Sequence, residues 1–225
     1  MGTHYTIQLY FPIGRLGCAI KLLNELVYPD KSNVSTQLLL PDQHSVEVLH
    51  RFVEYPESIK PTRTYGDQLG QKRSLSVPDR VFFFATLGFE IDDVIKQHIH
   101  RESQFSTRPR EEVTEAPVFG LGQLLVSIET GERYADVSLN VPVHSQNDVM
   151  QRSTSVHTAM LRIIDSCDGV AALLDMEKGD EDTYSLFLLN DQKRVITINR
   201  MASRDLTDID SVVKIIKKHL SSGDR

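Results

Sequence analysis

The stretch Thr183–Arg200, TYSLFLLNDQKRVITINR, constrains this chain more than any other. Two apolar runs rich in β-branched and aromatic residues flank the polar turn Asn190-Asp191-Gln192-Lys193, which is the pattern of a β-hairpin. A similar stretch lies 149 positions earlier. There Gln37–Arg51 (QLLLPDQHSVEVLHR) aligns with Leu186–Arg200 (LFLLNDQKRVITINR), and six of the fifteen positions are identical. The flanks correspond as well: Ile7–Pro12 resembles Val137–Pro142, and IDDVIK at 91–96 resembles IDSVVK at 209–214. The pattern predicts an internal duplication, with two independent hairpins of similar composition as the competing account. The expected fold class is α+β in two similar halves. Each half is a mainly antiparallel sheet with helices packed on one face, in the order strand, helix, hairpin, helix.

Periodicity fills in the elements. His4–Phe11 alternates polar and apolar residues up to Pro12, as a half-buried strand does. From Arg15 to Val27, Leu16, Ala19, Ile20, Leu23 and Val27 recur at helical spacing. The first hairpin follows, and then residues 53–79, whose three prolines and two glycines show no sustained period and predict a long insertion. Arg80–Leu87 (RVFFFATL) is the most apolar strand, closed by Gly88, and Glu90–Glu102 is a short helix. The polar stretch 103–117 predicts a linker between a first repeat at 1–102 and a second at 118–225.

In the second repeat, Gly122–Glu129 and Tyr134–Val143 predict an antiparallel pair turning at Thr130–Arg133. A helix runs from Ser145 or Asn147 to Cys167 and stops at Gly169. A short strand Val170–Asp175, an acidic loop Glu177–Asp182 and the second hairpin precede a last helix, with Ile209, Val212, Val213, Ile216 and Leu220 as its buried stripe.

Charge narrows the partners. Residues 1–110 carry 13 basic and 12 acidic side chains, whereas residues 111–225 carry 12 and 19. An acidic second half without a basic run disfavours nucleic acid, whose phosphates demand clustered positive charge. No apolar run approaches the length of a membrane span. The only cysteines, Cys18 and Cys167, form no disulfide framework, which fits a reducing, cytoplasmic setting.

Candidate chemistry is sparse. Phe11–Gly17 passes from strand to helix, so Gly14, Arg15 and Gly17 are candidates for holding an anion on exposed backbone N–H groups. Arg51 and Arg200 follow the two hairpins at equivalent positions, where a duplicated fold can bring them to the interface between halves. Each arginine has an ordinary alternative, its stem packed on the sheet and its head paired with a nearby carboxylate. His98 and His100 point in different directions on one helix and read as surface residues. The acidic loop lacks calcium-ligand spacing, so no metal site and no cofactor are expected. Nucleophile motifs are missing. The expectation is a non-enzymatic, cytoplasmic protein-binding or regulatory module whose partner is another protein or a second copy of itself. The alternative is an enzyme or small-molecule-binding protein with a site between the halves.

Overall fold

The computed structural model describes residues 5–51, 73–103, 117–141, 144–176, 183–189, 195–199 and 209–221. Its strands are β1 (Thr6–Pro12), β2 (Asn33–Leu39), β3 (Ser45–Arg51), β4 (Asp79–Glu90), β5 (Val118–Thr130), β6 (Tyr134–Asn140), β7 (Ala171–Asp175), β8 (Thr183–Leu188) and β9 (Val195–Asn199). Its helices are α1 (Leu16–Glu25), α2 (Asp93–Ser103), α3 (Asn147–Arg152), α4 (Thr154–Ser166) and α5 (Ile209–Ser221). The fold is α+β, and the named strands of the described residues pair antiparallel, with one isolated parallel bridge between Leu39 and Ser74.

Where two sheets were expected, the strands form one, in the order β2-β3-β4-β5-β6-β1-β7-β8-β9. The reason lies in β1. It pairs along one edge with β6, from Thr6↔Asn140 to Pro12↔Tyr134, and along the other with β7, from Thr6↔Asp175 to Tyr10↔Ala171. The first strand is therefore a central strand of the second half, and separate sheets would strip its backbone groups of their partners. The segment expected to divide the halves, 103–117, lies outside the described residues except for its two ends, as do residues 53–72 of the expected insertion and the acidic loop 177–182. Beyond 72 the chain returns to the sheet. Leu39 N–H donates to Arg73 O at 2.9 Å, Leu75 N–H donates to Leu39 O at 2.8 Å, and Leu75 is buried.

Alternation along the strands sorts the core into two layers. Ile7, Leu9 and Phe11 face a cluster completed by Leu16, Ala19, Ile20 and Leu23 of α1, Ile95 and Ile99 of α2, Val149 and Met150 of α3, and Val156, Met160 and Ile163 of α4. Tyr10 points the other way, with Ala171 and Leu173, onto Ile209, Val212, Val213 and Ile216 of α5. Helices thus cover both faces rather than one. Strand β7 is apolar at each of its first four positions because it is buried on both sides.

Several local expectations need revising. The long helix ending near Cys167 is two helices, broken at Ser153, which is extended (φ −69°, ψ 120°) and caps α4 by accepting from Val156 N–H. Gly88 does not end β4. It lies inside the strand, where Tyr28 and Val118 crowd it: a Cβ at Gly88 would meet Val118 Cγ1 at 2.7 Å, and one at Gly120 would meet Tyr28 Cγ at 3.1 Å. His98 is buried, not on the surface, because Ile95, His98 and Ile99 together make the inward stripe of α2. Its ring meets Phe119 edge-on at 5.6 Å, and burial holds its pKa below the usual histidine range.

One side chain substitutes for missing strand pairing. β3 pairs with β4 at Arg51↔Phe84, and beyond that point Asn24 of α1 serves the open edge. Asn24 Nδ2–H donates to Glu47 O at 2.7 Å, and its Oδ1 accepts from Leu49 N–H at 3.0 Å.

The cysteines, expected as separate thiols, are joined in a Cys18–Cys167 disulfide with Cα atoms 5.7 Å apart. Their separation of 149 residues hid the pair in a sequence with no spacing motif. The bond removes the premise on which a reducing compartment was inferred. By the chain-entropy account a ring this long stabilises the fold by about 3–5 kcal/mol. The Cys18→Ser and Cys167→Ser variants should each lose about that much in urea unfolding, and the wild type under a dithiol reductant should match them.

Candidate functional site

The C-terminal end of α1 does not leave the sheet. Residues 26–28 run beside β4, with Gly88 N–H donating to Leu26 O at 2.6 Å, Tyr28 N–H donating to Thr86 O at 2.8 Å, and a bridge between Val27 and Leu87. This short pairing continues the edge that β3 has abandoned. Opposite it, the N-terminal turns of α4 rise from Thr154. Between the two opens a cleft of about 830 Å³ whose walls come from residues 25–29 and 88–92 on one side and Pro117, Val118 and 154–162 on the other. The cleft thus lies between residues of 1–102 and residues of 118–225.

Asp92 anchors the far wall. Its carboxylate accepts from Ile95 N–H at 2.9 Å at the start of α2, and from Ser155 N–H at 3.1 Å, Ser153 Oγ at 2.7 Å and Thr154 Oγ1 at 3.2 Å at the start of α4. Two helix N-termini, each with unsatisfied donors and partial positive charge, share this one anion. Burial raises the carboxyl pKa, but those hydrogen bonds outweigh it and hold Asp92 below the usual carboxylate range. Exposed Glu25 and Glu90 add negative charge at the rim. The basic residue of the lining is Arg162, 3.8 Å from Glu25. Val27, Phe89, Ile91, Val118 and Ala159 supply apolar surface below. The arrangement suits a ligand with an apolar body and a cationic head. Among the described residues of the lining, the Thr154 hydroxyl donates to Asp92, and a carboxylate held this acidic is a poor general base.

The residues singled out from sequence stand elsewhere. Gly14 and Arg15 form a single 3-10 turn, and the Arg15 guanidinium pairs with Asp168 at 2.5 Å. Gly17 lies inside α1, where a Cβ would come within 3.2 Å of Leu40 Cδ1. Arg51 ends β3 opposite Asn33, and its charge reaches the exposed Asp30. None of the four lines the cleft, and Arg200 lies outside the described residues. Asp92 carried a legible signal, an Asp immediately before an amphipathic helix. Its second partnership, with α4, had none.

A second unusual carboxylate lies on the opposite face of the sheet. Cross-strand register sets Arg80, Glu129, Asp136 and Tyr10 in a row across β4, β5, β6 and β1. Asp136 is buried. Its Oδ2 accepts from Ser138 Oγ at 2.6 Å, whereas its Oδ1 has no hydrogen-bond partner among the described residues. Burial, joined by the charge of Glu129 and opposed by the Ser138 hydrogen bond, pushes its pKa up to about 7. Among the described residues no group of three His, Cys, Asp or Glu side chains converges to hold a metal ion, and no helix is long and apolar enough to cross a membrane.

Two outcomes follow from these carboxylates. The folded chain keeps the Asp136 proton to about pH 7, while the unfolded chain releases it near 3.8, so folding is increasingly penalised as pH rises between those values. Asp136→Asn should therefore stabilise the protein by about 2–4 kcal/mol more at about pH 8 than at about pH 4, measured by urea unfolding. Asp92→Ala, which uncaps two helices at once, should cost about 2 kcal/mol at neutral pH, and the same measurement checks it.

Comparison of the chain with models of known families, with curated proteins and with solved structures finds no match.

Proposed function

We propose that this chain is a non-enzymatic binding protein, and that the cleft between its two halves takes a short, partly apolar segment of another protein bearing Lys or Arg. The observation that carries this reading is the cleft itself, in which an apolar floor lies under a rim where Glu25 and Glu90 outweigh Arg162. Peptides are held in such grooves by apolar anchors, with charge fixing their orientation. A cationic small molecule is the second reading, favoured by a volume within the range of small-ligand pockets. Self-association through the cleft is a variant of the first reading, with a second copy supplying the segment.

The internal duplication belongs with this proposal, because it would make the cleft a junction between related units. Two features support it. The strands β1 and β6, which correspond in sequence, lie side by side and antiparallel, as the equivalent strands of a two-fold pair would. Cys18 and Cys167, separated by the same 149 positions that align the hairpins, meet across α1 and the end of α4. The hairpins occupy opposite ends of the sheet, but β2 is the outer strand of one and β9 of the other. Any repeat is therefore closest at the sheet centre and has diverged outward.

Selection from a random peptide display library tests the binding reading. The wild type should enrich sequences that place Lys or Arg beside large apolar residues, and a Glu25→Lys/Glu90→Lys variant with an unchanged circular dichroism spectrum should lose them. A library that yields no enriched sequence, or peptides that bind both proteins equally, would sink the proposal. Enrichment on the wild type accompanied by dimer formation would identify a second copy as the partner.

A further inference from the structure

On the face of the sheet covered by α5, a second recess of about 340 Å³ lies between that helix and the turn joining β5 to β6. Its lining combines Arg133, Tyr134, Lys214 and Lys217 with Asp210 and Val213. Three cationic side chains thus share a small concavity, in a half of the chain that carries 12 basic against 19 acidic residues. Gathering like charges is unfavourable unless something compensates them.

The acidic residue present is already committed. The Asp210 side chain is 10 % exposed, and its carboxylate accepts from the backbone N–H of Arg133 at 3.2 Å, from Tyr134 N–H at 3.1 Å and from Arg133 Nε at 3.4 Å. It clamps the turn to α5 and fixes the Arg133 guanidinium from one side. Of the two lysines, Lys217 leans on the Tyr134 ring. Lys217 Nζ lies 4.7 Å from the Tyr134 ring centroid and donates to its hydroxyl at 2.6 Å, and Arg133 Cζ lies 6.0 Å from the same centroid. Neither Lys214 nor Lys217 has a carboxylate partner among the described residues. Because the Tyr134 hydroxyl accepts from Lys217, its own proton is left to donate elsewhere.

We propose that this recess binds a phosphate group. Arginine, lysine and a phenolic hydroxyl are the donors that recognise phosphate oxygens. Charge selects the class: three cations less the Asp210 carboxylate leave two positive charges, which a dianionic phosphate neutralises and a carboxylate only half neutralises. The site is separate from the cleft and does not depend on the peptide-binding reading. The bearer of the phosphate is a small phosphomonoester or a lipid headgroup, since both present the same oxygens.

Isothermal titration of the full oxidised chain with inorganic phosphate and with glycerol phosphate tests the proposal, alongside sedimentation with phosphatidic acid vesicles and with neutral phosphatidylcholine vesicles. Saturable binding of the soluble phosphates, or selective binding of the phosphatidic acid vesicles, is expected and distinguishes the two sources. Lys217→Ala and Lys214→Ala should each weaken binding by about tenfold. Tyr134→Phe, which keeps the ring but removes the proton donor, should weaken it by less. Lys21→Ala, at an exposed position of α1 on the other face of the sheet, should leave it unchanged. The proposal is overturned if no phosphate ligand binds, or if the Lys214→Ala/Lys217→Ala double variant binds as well as the wild type while retaining its unfolding midpoint.

Discussion

Residues 6–10 are paired on both sides by strands that lie more than a hundred residues downstream. A central strand cannot be withdrawn without leaving two rows of backbone donors and acceptors unpaired, so this placement binds the early and late parts of the chain into one sheet. The two apolar layers inherit their division from it. Leu9 and Phe11 define one side and Tyr10 the other, and the helices take their positions accordingly. The cleft and the basic recess consequently lie on structure built jointly from distant sequence.

Two carboxylates repeat this theme at smaller scale. Asp92 joins the starts of α2 and α4, and Asp210 joins α5 to the β5–β6 turn. In each, an anion meets several N–H groups that have no partner in their own element, a combination stronger than neutral hydrogen bonding. Asp136 differs: it is buried with one oxygen unpartnered among the described residues, and it relieves the cost by holding its proton. Burial and the number of available donors, not residue type, separate the three.

Local pattern made much of the fold legible. The alternation in His4–Phe11, the helical spacing of Leu16, Ala19, Ile20 and Leu23, and the turn at Thr130–Arg133 all lead to elements close to those observed. What escaped was whatever depended on a partner remote in sequence. Gly88 looked like a terminator because the Tyr28 ring that rests on it is sixty residues away. His98 looked superficial because polar type outweighed its place between Ile95 and Ile99. The halves looked separable because nothing within residues 1–102 reveals that β1 pairs with β6 and β7. The candidate cleft was legible only as a site between halves; of its residues, Asp92 alone had a local signature, as the cap of α2.

The disulfide closes residues 18–167 into a covalent ring that encloses most of the sheet. When the chain is pulled by its two termini, the tension passes from Cys18 to Cys167 through the sulfur bridge and bypasses β2 to β6 and α1 to α4. Only the outer segments, with β1 at one end and β7 to β9 and α5 at the other, can be drawn out. Since β1 is hydrogen-bonded to β6 inside the bypassed region and to β7 outside it, its loss under load would leave β6 in the ring with an empty strand position beside it. The interior of the ring would stay bounded and able to take β1 back.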